Sequence, residues 1–101
     1  MLRIGFAIVR GRSMEPTLRD GDRLIVRYGV IPRAGQTVIV RLPSRAGVSV
    51  KRLVRRDADG WWVERDNPAD GVDSWLVGAV PPDDLLGVAL LRVWPRPRRL
   101  R

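Results

Sequence analysis

Two side chains of this sequence could do covalent chemistry together, the hydroxyl of Ser13 and the amine of Lys51. A serine hydroxyl attacks a carbonyl only when a base takes its proton. The chain has no histidine and no cysteine, so that base must be a carboxylate or an amine. Lys51 is the single lysine beside 18 arginines. A guanidinium keeps its proton in a protein, whereas a desolvated lysine can release one, so Lys51 supplies the only basic chemistry that Arg could not replace. Both residues also have plainer readings: Ser13 as the cap of a turn starting near Pro16, and Lys51 as a solvated strand lysine.

The elements that must position them follow from the apolar pattern. Ser13 lies in Gly11-Arg12-Ser13-Met14-Glu15-Pro16-Thr17-Leu18-Arg19-Asp20-Gly21-Asp22, between two apolar runs, with a Gly and a Pro restricting the backbone on either side. One helical turn is expected over residues 16–20. Strands are expected at residues 4–10 (buried on both faces), 23–28, 37–42, 48–55, 61–65 and 86–94. The fourth of these alternates, with Ser49, Lys51 and Leu53 on one face and Val48, Val50 and Arg52 on the other. Apolar neighbours there would desolvate the amine and lower its pKa. Asp57-Ala58-Asp59-Gly60 reads as a tight hairpin turn. A loop is expected over residues 66–73, a short extended piece over 74–80, and a turn or one-turn helix at Pro81-Pro82-Asp83-Asp84. Short strands with Gly/Pro turns and no long helix give an all-β barrel or sandwich.

At 101 residues the chain holds one domain, expected over residues 1–94, with a Pro/Arg-rich tail over 95–101 that frays. The hydrophobic fraction of 45% and charged fraction of 30% describe a folded protein. The apolar run of residues 4–9 is far short of the ~20 residues that span a bilayer and lacks the form of a secretory signal. A cytoplasmic location, with peripheral membrane attachment open, is the resulting expectation; whether an anchor precedes Met1 and what the oligomeric state is stay open. The net charge of +8 raises a different class, an Arg-rich β-domain that binds nucleic acid or an anionic surface without catalysis. Against it, the arginines are scattered and few aromatics interleave with them; the four tryptophans are expected to fill the core or wall a cleft.

Ser13-Met14-Glu15-Pro16-Thr17-Leu18 with Gly21-Asp22 resembles the nucleophile box of type I signal peptidases and their relatives. Val50-Lys51-Arg52 resembles their lysine box, and Asp66-Asn67, Asp73-Ser74, Gly78 and Val80 their third box. The boxes fall in the family's order over residues 11–94. The resemblance implies an all-β catalytic fold shared with self-cleaving repressors, a small barrel-like set of antiparallel sheets with at most one-turn helices. It implies a Ser/Lys dyad: Ser13 as nucleophile, Lys51 as general base, and the Ser13 backbone amide as an oxyanion donor. Met14 and Pro16 would shape the loop; Asp73 and Ser74 would order the region around Lys51. No metal or other cofactor and no obligatory nucleic acid are implied. The partner is a protein or peptide substrate bound as an extended strand.

Within the family, the compact form resembles the maturation proteases of nickel superoxide dismutase, an impression strengthened by Gly60-Trp61-Trp62-Val63 and by Gly21-Asp22-Arg23-Leu24 with Tyr28. Removal of a short N-terminal propeptide is the reaction this implies. The sequence departs from the family pattern at four places. Gly11 stands where many members carry an oxyanion serine, and Gly71 where some carry a serine contacting the lysine. Trp75 replaces an arginine, and Arg65 replaces a glycine.

Overall fold

The computed structural model describes residues 3–43 and 45–101, and strands dominate them. The strands are β1 (Arg3–Ile8), β2 (Arg23–Tyr28), β3 (Thr37–Val40), β4 (Ser49–Asp57), β5 (Gly60–Glu64), β6 (Leu85–Trp94) and β7 (Arg98–Arg99). All pairings are antiparallel, in one sheet of order β1-β2-β6-β3-β4-β5, with β7 beside β6. Among the described residues no ladder joins β1 to β5. The all-β expectation therefore holds as an open sheet, not a closed barrel.

The long strand β6 organises this order. It pairs along β2 from Gly87 to Trp94, and on its other side pairs first with β3 and then with β7. Two apolar clusters result. Val9, Met14, Leu18, Leu24, Val26, Ile39 and Ala89 pack the Ser13 loop onto the sheet. Val38, Val40, Leu42, Leu53, Val63, Val80 and Val88 form the second cluster. Burying a side chain of this size contributes about 1.5–3 kcal/mol, so Met14 and Leu18 anchor a segment that has no regular structure of its own.

Four expectations change. Residues 4–10 do not form a strand buried on both faces. β1 is the sheet's first strand, and its Ile4, Phe6 and Ile8 are exposed, because an apolar run reads alike in a central and an edge position. Residues 16–20 form a turn with one bond from Leu18 N to Met14 O, not a helical element. Residues 74–80 begin with a one-turn helix, α1 (Ser74–Val77), and only Val80 is extended, bridging Trp61. The tail does not fray: β7 pairs with β6, Leu100 packs against the first cluster, and Arg101 O accepts from Thr37 N at 2.7 Å. The hairpin at Asp57–Gly60 and the one-turn 3-10 helix Pro82–Asp84 appear as expected.

The tryptophans are also placed differently. Trp75 and Trp94 are exposed and Trp61 and Trp62 half-buried, so none fills the core. Arginine guanidinium groups lie over three of the rings, Arg55 on Trp62, Arg56 on Trp61 and Arg23 on Trp94, at 4.7–4.8 Å. Those faces, which a nucleobase would need for stacking, are already covered.

Candidate active site

The loop that carries Ser13 is closed at its base. Val9 N donates to Asp22 O and Gly21 N to Val9 O, both at 2.8 Å. The carboxylate of Asp20 accepts from Gly11 N at 2.8 Å, and that of Asp22, itself buried, accepts from Arg19 N at 3.0 Å. With Met14 and Leu18 buried beneath, these bonds fix the height at which Ser13 stands above the sheet. Its own amide takes no part in the loop's hydrogen bonds among the described residues.

Lys51 approaches from β4. Strand alternation puts it on the face of Leu53, in the second cluster, and it pairs with Val38 across β3. The lysine is only 4% exposed. Its Nζ donates to Ser13 Oγ at 2.7 Å. With the amine neutral, the same contact runs the other way, Oγ–H donating to Nζ. Burial holds the Lys51 amine below the usual lysine range. Among nearby charges, Asp73 opposes that shift, Arg65 and Arg45 add to it, and Asp70 weakly opposes it. An amine whose pKa is lowered by burial, within hydrogen-bond reach of a hydroxyl, is an arrangement that can take a serine proton.

The segment after β5 closes over this pair. Asn67 N donates to Ser13 O at 2.8 Å and Asn67 Nδ2 to Arg12 O at 3.0 Å, so two backbone carbonyls of the serine loop are held from the opposite side. Asp66 is fixed by Arg52, whose Nη2 and Nε reach its two carboxylate oxygens at 2.6 and 3.2 Å. Burial alone would raise the Asp66 carboxyl. The hydrogen bonds from Arg52 and Thr17 and the Arg52 charge bring it below the usual carboxylate value instead. Asp73 caps α1, accepting from Trp75 N and Arg65 N at 3.1 Å. Ser74 Oγ is buried and accepts from Val63 N at 2.9 Å, tying α1 to β5 beside the lysine strand.

Ser13 and Lys51 therefore meet directly. Met14 supports the loop from the core, Pro16 lies exposed within the loop, and Asp73 and Ser74 brace the neighbouring segment with no hydrogen bond to Ser13 among the described residues. Reading the sequence singled out Asn67 only as part of a box; its reach to the Arg12 and Ser13 carbonyls has no local signature. Gly71 is the clearest omission. It adopts φ +91°, and a Cβ placed there would lie 2.5 Å from Ser13 Cβ, so a position noted as a missing serine is one where the backbone itself abuts the serine.

A cleft of about 370 Å³ joins Ser13 and Lys51 to β1 and is lined also by Phe6, Ile8, Tyr28, Ile39, Val48 and Leu86. A smaller hollow of about 190 Å³ lies against the same two residues, bordered by Arg10, Arg12, Arg45 and Asp70. Among the described residues no group of His, Cys, Asp and Glu side chains could hold a metal ion, and no helix is long and apolar enough to cross a membrane.

An open antiparallel sheet that sets a loop serine against a buried amine, both lining one cleft, fits a peptidase-type domain. The profile of the Peptidase S24-like family matches residues 3–75, from the start of β1 into α1 and across both Ser13 and Lys51, and the chain belongs to that family. A protein described as mitochondrial inner membrane protease subunit 1, from Xenopus tropicalis, is 28% identical to it over 113 residues, covering 87% of this chain and 68% of that protein. Both findings support a signal-peptidase-like peptidase.

Proposed function

We propose that this chain is a serine endopeptidase in which Ser13 is the nucleophile and Lys51 the general base, and that it removes an N-terminal propeptide or signal-like segment from a protein substrate. The observation that carries this reading is the 2.7 Å contact between a buried lysine amine and the loop hydroxyl. Ser13 Oγ attacks the scissile carbonyl carbon while its proton passes to Lys51 Nζ. The oxyanion that forms is met by the Ser13 amide, the side-chain donor being absent at Gly11. The carbon–nitrogen bond then breaks as Lys51 returns the proton to the departing amine, and a water deprotonated by the same amine releases the acyl group.

The substrate lies extended along β1. That strand's outer edge has no partner strand among the described residues, so its backbone groups are available to a peptide, and Phe6 and Ile8 reach into the cleft beside it. The resemblance of the chain's boxes and of Gly60-Trp61-Trp62-Val63 to nickel superoxide dismutase maturation proteases supports the precursor of that enzyme as the substrate. Incubation of the two proteins, followed by mass and N-terminal analysis, is expected to show loss of a short propeptide with the wild type and none with Ser13→Ala. Cleavage at equal rates by both would rule the reading out. Because only the neutral amine accepts the serine proton, kcat/KM is expected to fall as pH drops through the Lys51 pKa, giving an acid limb that starts below the ordinary lysine value of 10.5. A pH–rate profile with no such limb would exclude Lys51 as the base.

A further inference from the structure

Arg65 follows β5 and sits largely buried behind the segment that closes over the dyad. Three of its groups are engaged there. Its Nη1 donates to Gly71 O, its Nε lies 3.6 Å from Asp73 Oδ2, and its backbone N donates to the same oxygen at 3.1 Å. Residues 71 and 73 are thus held from one side by a single residue. From the other side Gly71 abuts Ser13, at a distance where even a methyl group would not fit. Asn67 fastens the start of the same segment to the Ser13 loop. The segment is therefore a plate clamped at both ends, and Ser13's side chain is confined between that plate and Lys51.

We infer that Arg65 is a positioning residue for the Ser13–Lys51 pair: by gripping the Gly71 carbonyl and the Asp73 carboxylate it keeps the Gly71 backbone pressed on Ser13 and balances the one buried carboxylate beside the lysine. The inference rests on the proposed Ser/Lys reading but concerns Arg65, to which that reading gives no role. The charges facing Lys51 come from several elements: Asp73 at the start of α1, Asp70 in the preceding loop, Arg45 before β4 and Arg65 after β5. Asp73 favours the protonated amine and Arg65 opposes it. Without the guanidinium, Asp73 stands uncompensated and Lys51 holds its proton more tightly. Loss of the Gly71 contact also lets Ser13 move away from the amine.

Lys51 being the only lysine makes the test direct. Protein carrying 13Cε-labelled lysine gives one side-chain resonance, whose pH titration reads the Lys51 amine without any substrate. Arg65→Gln is expected to raise the Lys51 midpoint above the wild-type value, and to lower kcat about tenfold at neutral pH with KM changed less than about twofold. Arg65→Lys retains the charge without the two-pronged grip and adds a second lysine resonance, which is assigned against the single wild-type signal. The Lys51 midpoint is expected to return to the wild-type value while kcat recovers only in part. An Arg65→Gln protein that is folded by its amide spectrum and keeps both the wild-type midpoint and kcat would overturn the inference. If Arg65→Gln does not fold, Arg65→Lys decides it, since a kcat equal to wild type would overturn it equally. Should Ser13→Ala cleave as fast as wild type, the peptidase reading fails, and the lysine titration still decides the role of Arg65.

Discussion

Lys51→Arg is expected to abolish cleavage as completely as Lys51→Ala, with a loss of about 10³-fold or more in kcat/KM. The two replacements differ in size, charge and reach, so similar phenotypes would otherwise be surprising. Arginine keeps the positive charge and hydrogen-bond donors of the native residue. A role as a structural cation would therefore leave Lys51→Arg substantially active. A general base must give up its own proton first, which a guanidinium does not do. The site adds a second obstacle, because Lys51 is 4% exposed and already lies among Arg45 and Arg65, where a permanent cation is hard to accommodate. Cleavage assays on both variants, with circular dichroism to confirm folding, separate the cases. An active Lys51→Arg enzyme would identify the lysine as an electrostatic element and remove it from proton transfer.

Gly71→Ala is expected to be the most damaging substitution outside the pair itself. Its backbone sits at φ +91°, in a region that costs a non-glycine residue about 1–3 kcal/mol. The added methyl would also lie 2.5 Å from Ser13 Cβ and 3.5 Å from Ser13 Oγ. Either the plate lifts or the serine turns, and both break the 2.7 Å contact with Lys51. A displacement of about 1 Å at a reacting group can cost about 10²-fold in rate, so kcat/KM should fall by at least that factor while the fold survives. Gly71→Ser, which supplies the hydroxyl some family members carry, meets the same obstacle and should fail alongside it. Denaturant unfolding and steady-state kinetics on the two variants check this. Wild-type rates in Gly71→Ala would show that the plate does not constrain Ser13.

Much of this site was legible before the structure because its chemistry rests on rare residues. A chain with one lysine and no histidine leaves few candidates for a base, and Gly and Pro around Ser13 mark a constrained loop. Strand alternation likewise set Lys51 with Leu53 on one face, which is where burial lowers its pKa. Less was legible wherever position depends on a distant partner. The apolar run of β1 looks the same whether or not a second strand covers its outer edge. The arginine-rich tail carries no periodic signal, yet backbone pairing with β6 and the seat for Leu100 hold it. Trp61 and Trp62 are apolar enough for a core, but arginines on the neighbouring strand shield them at the surface. Arg65 and Gly71 seemed to be separate departures from a family pattern. Only folding shows that one grips the carbonyl of the other.

The most direct test of the dyad compares two curves on one protein. The 13Cε resonance of Lys51 gives the pKa of its amine, and the acid limb of kcat/KM gives the pKa of the group whose neutral form is needed for cleavage. If Lys51 is the base, the two coincide, both below 10.5. A lysine that titrates at its ordinary value while cleavage runs at full rate near neutral pH would contradict the account.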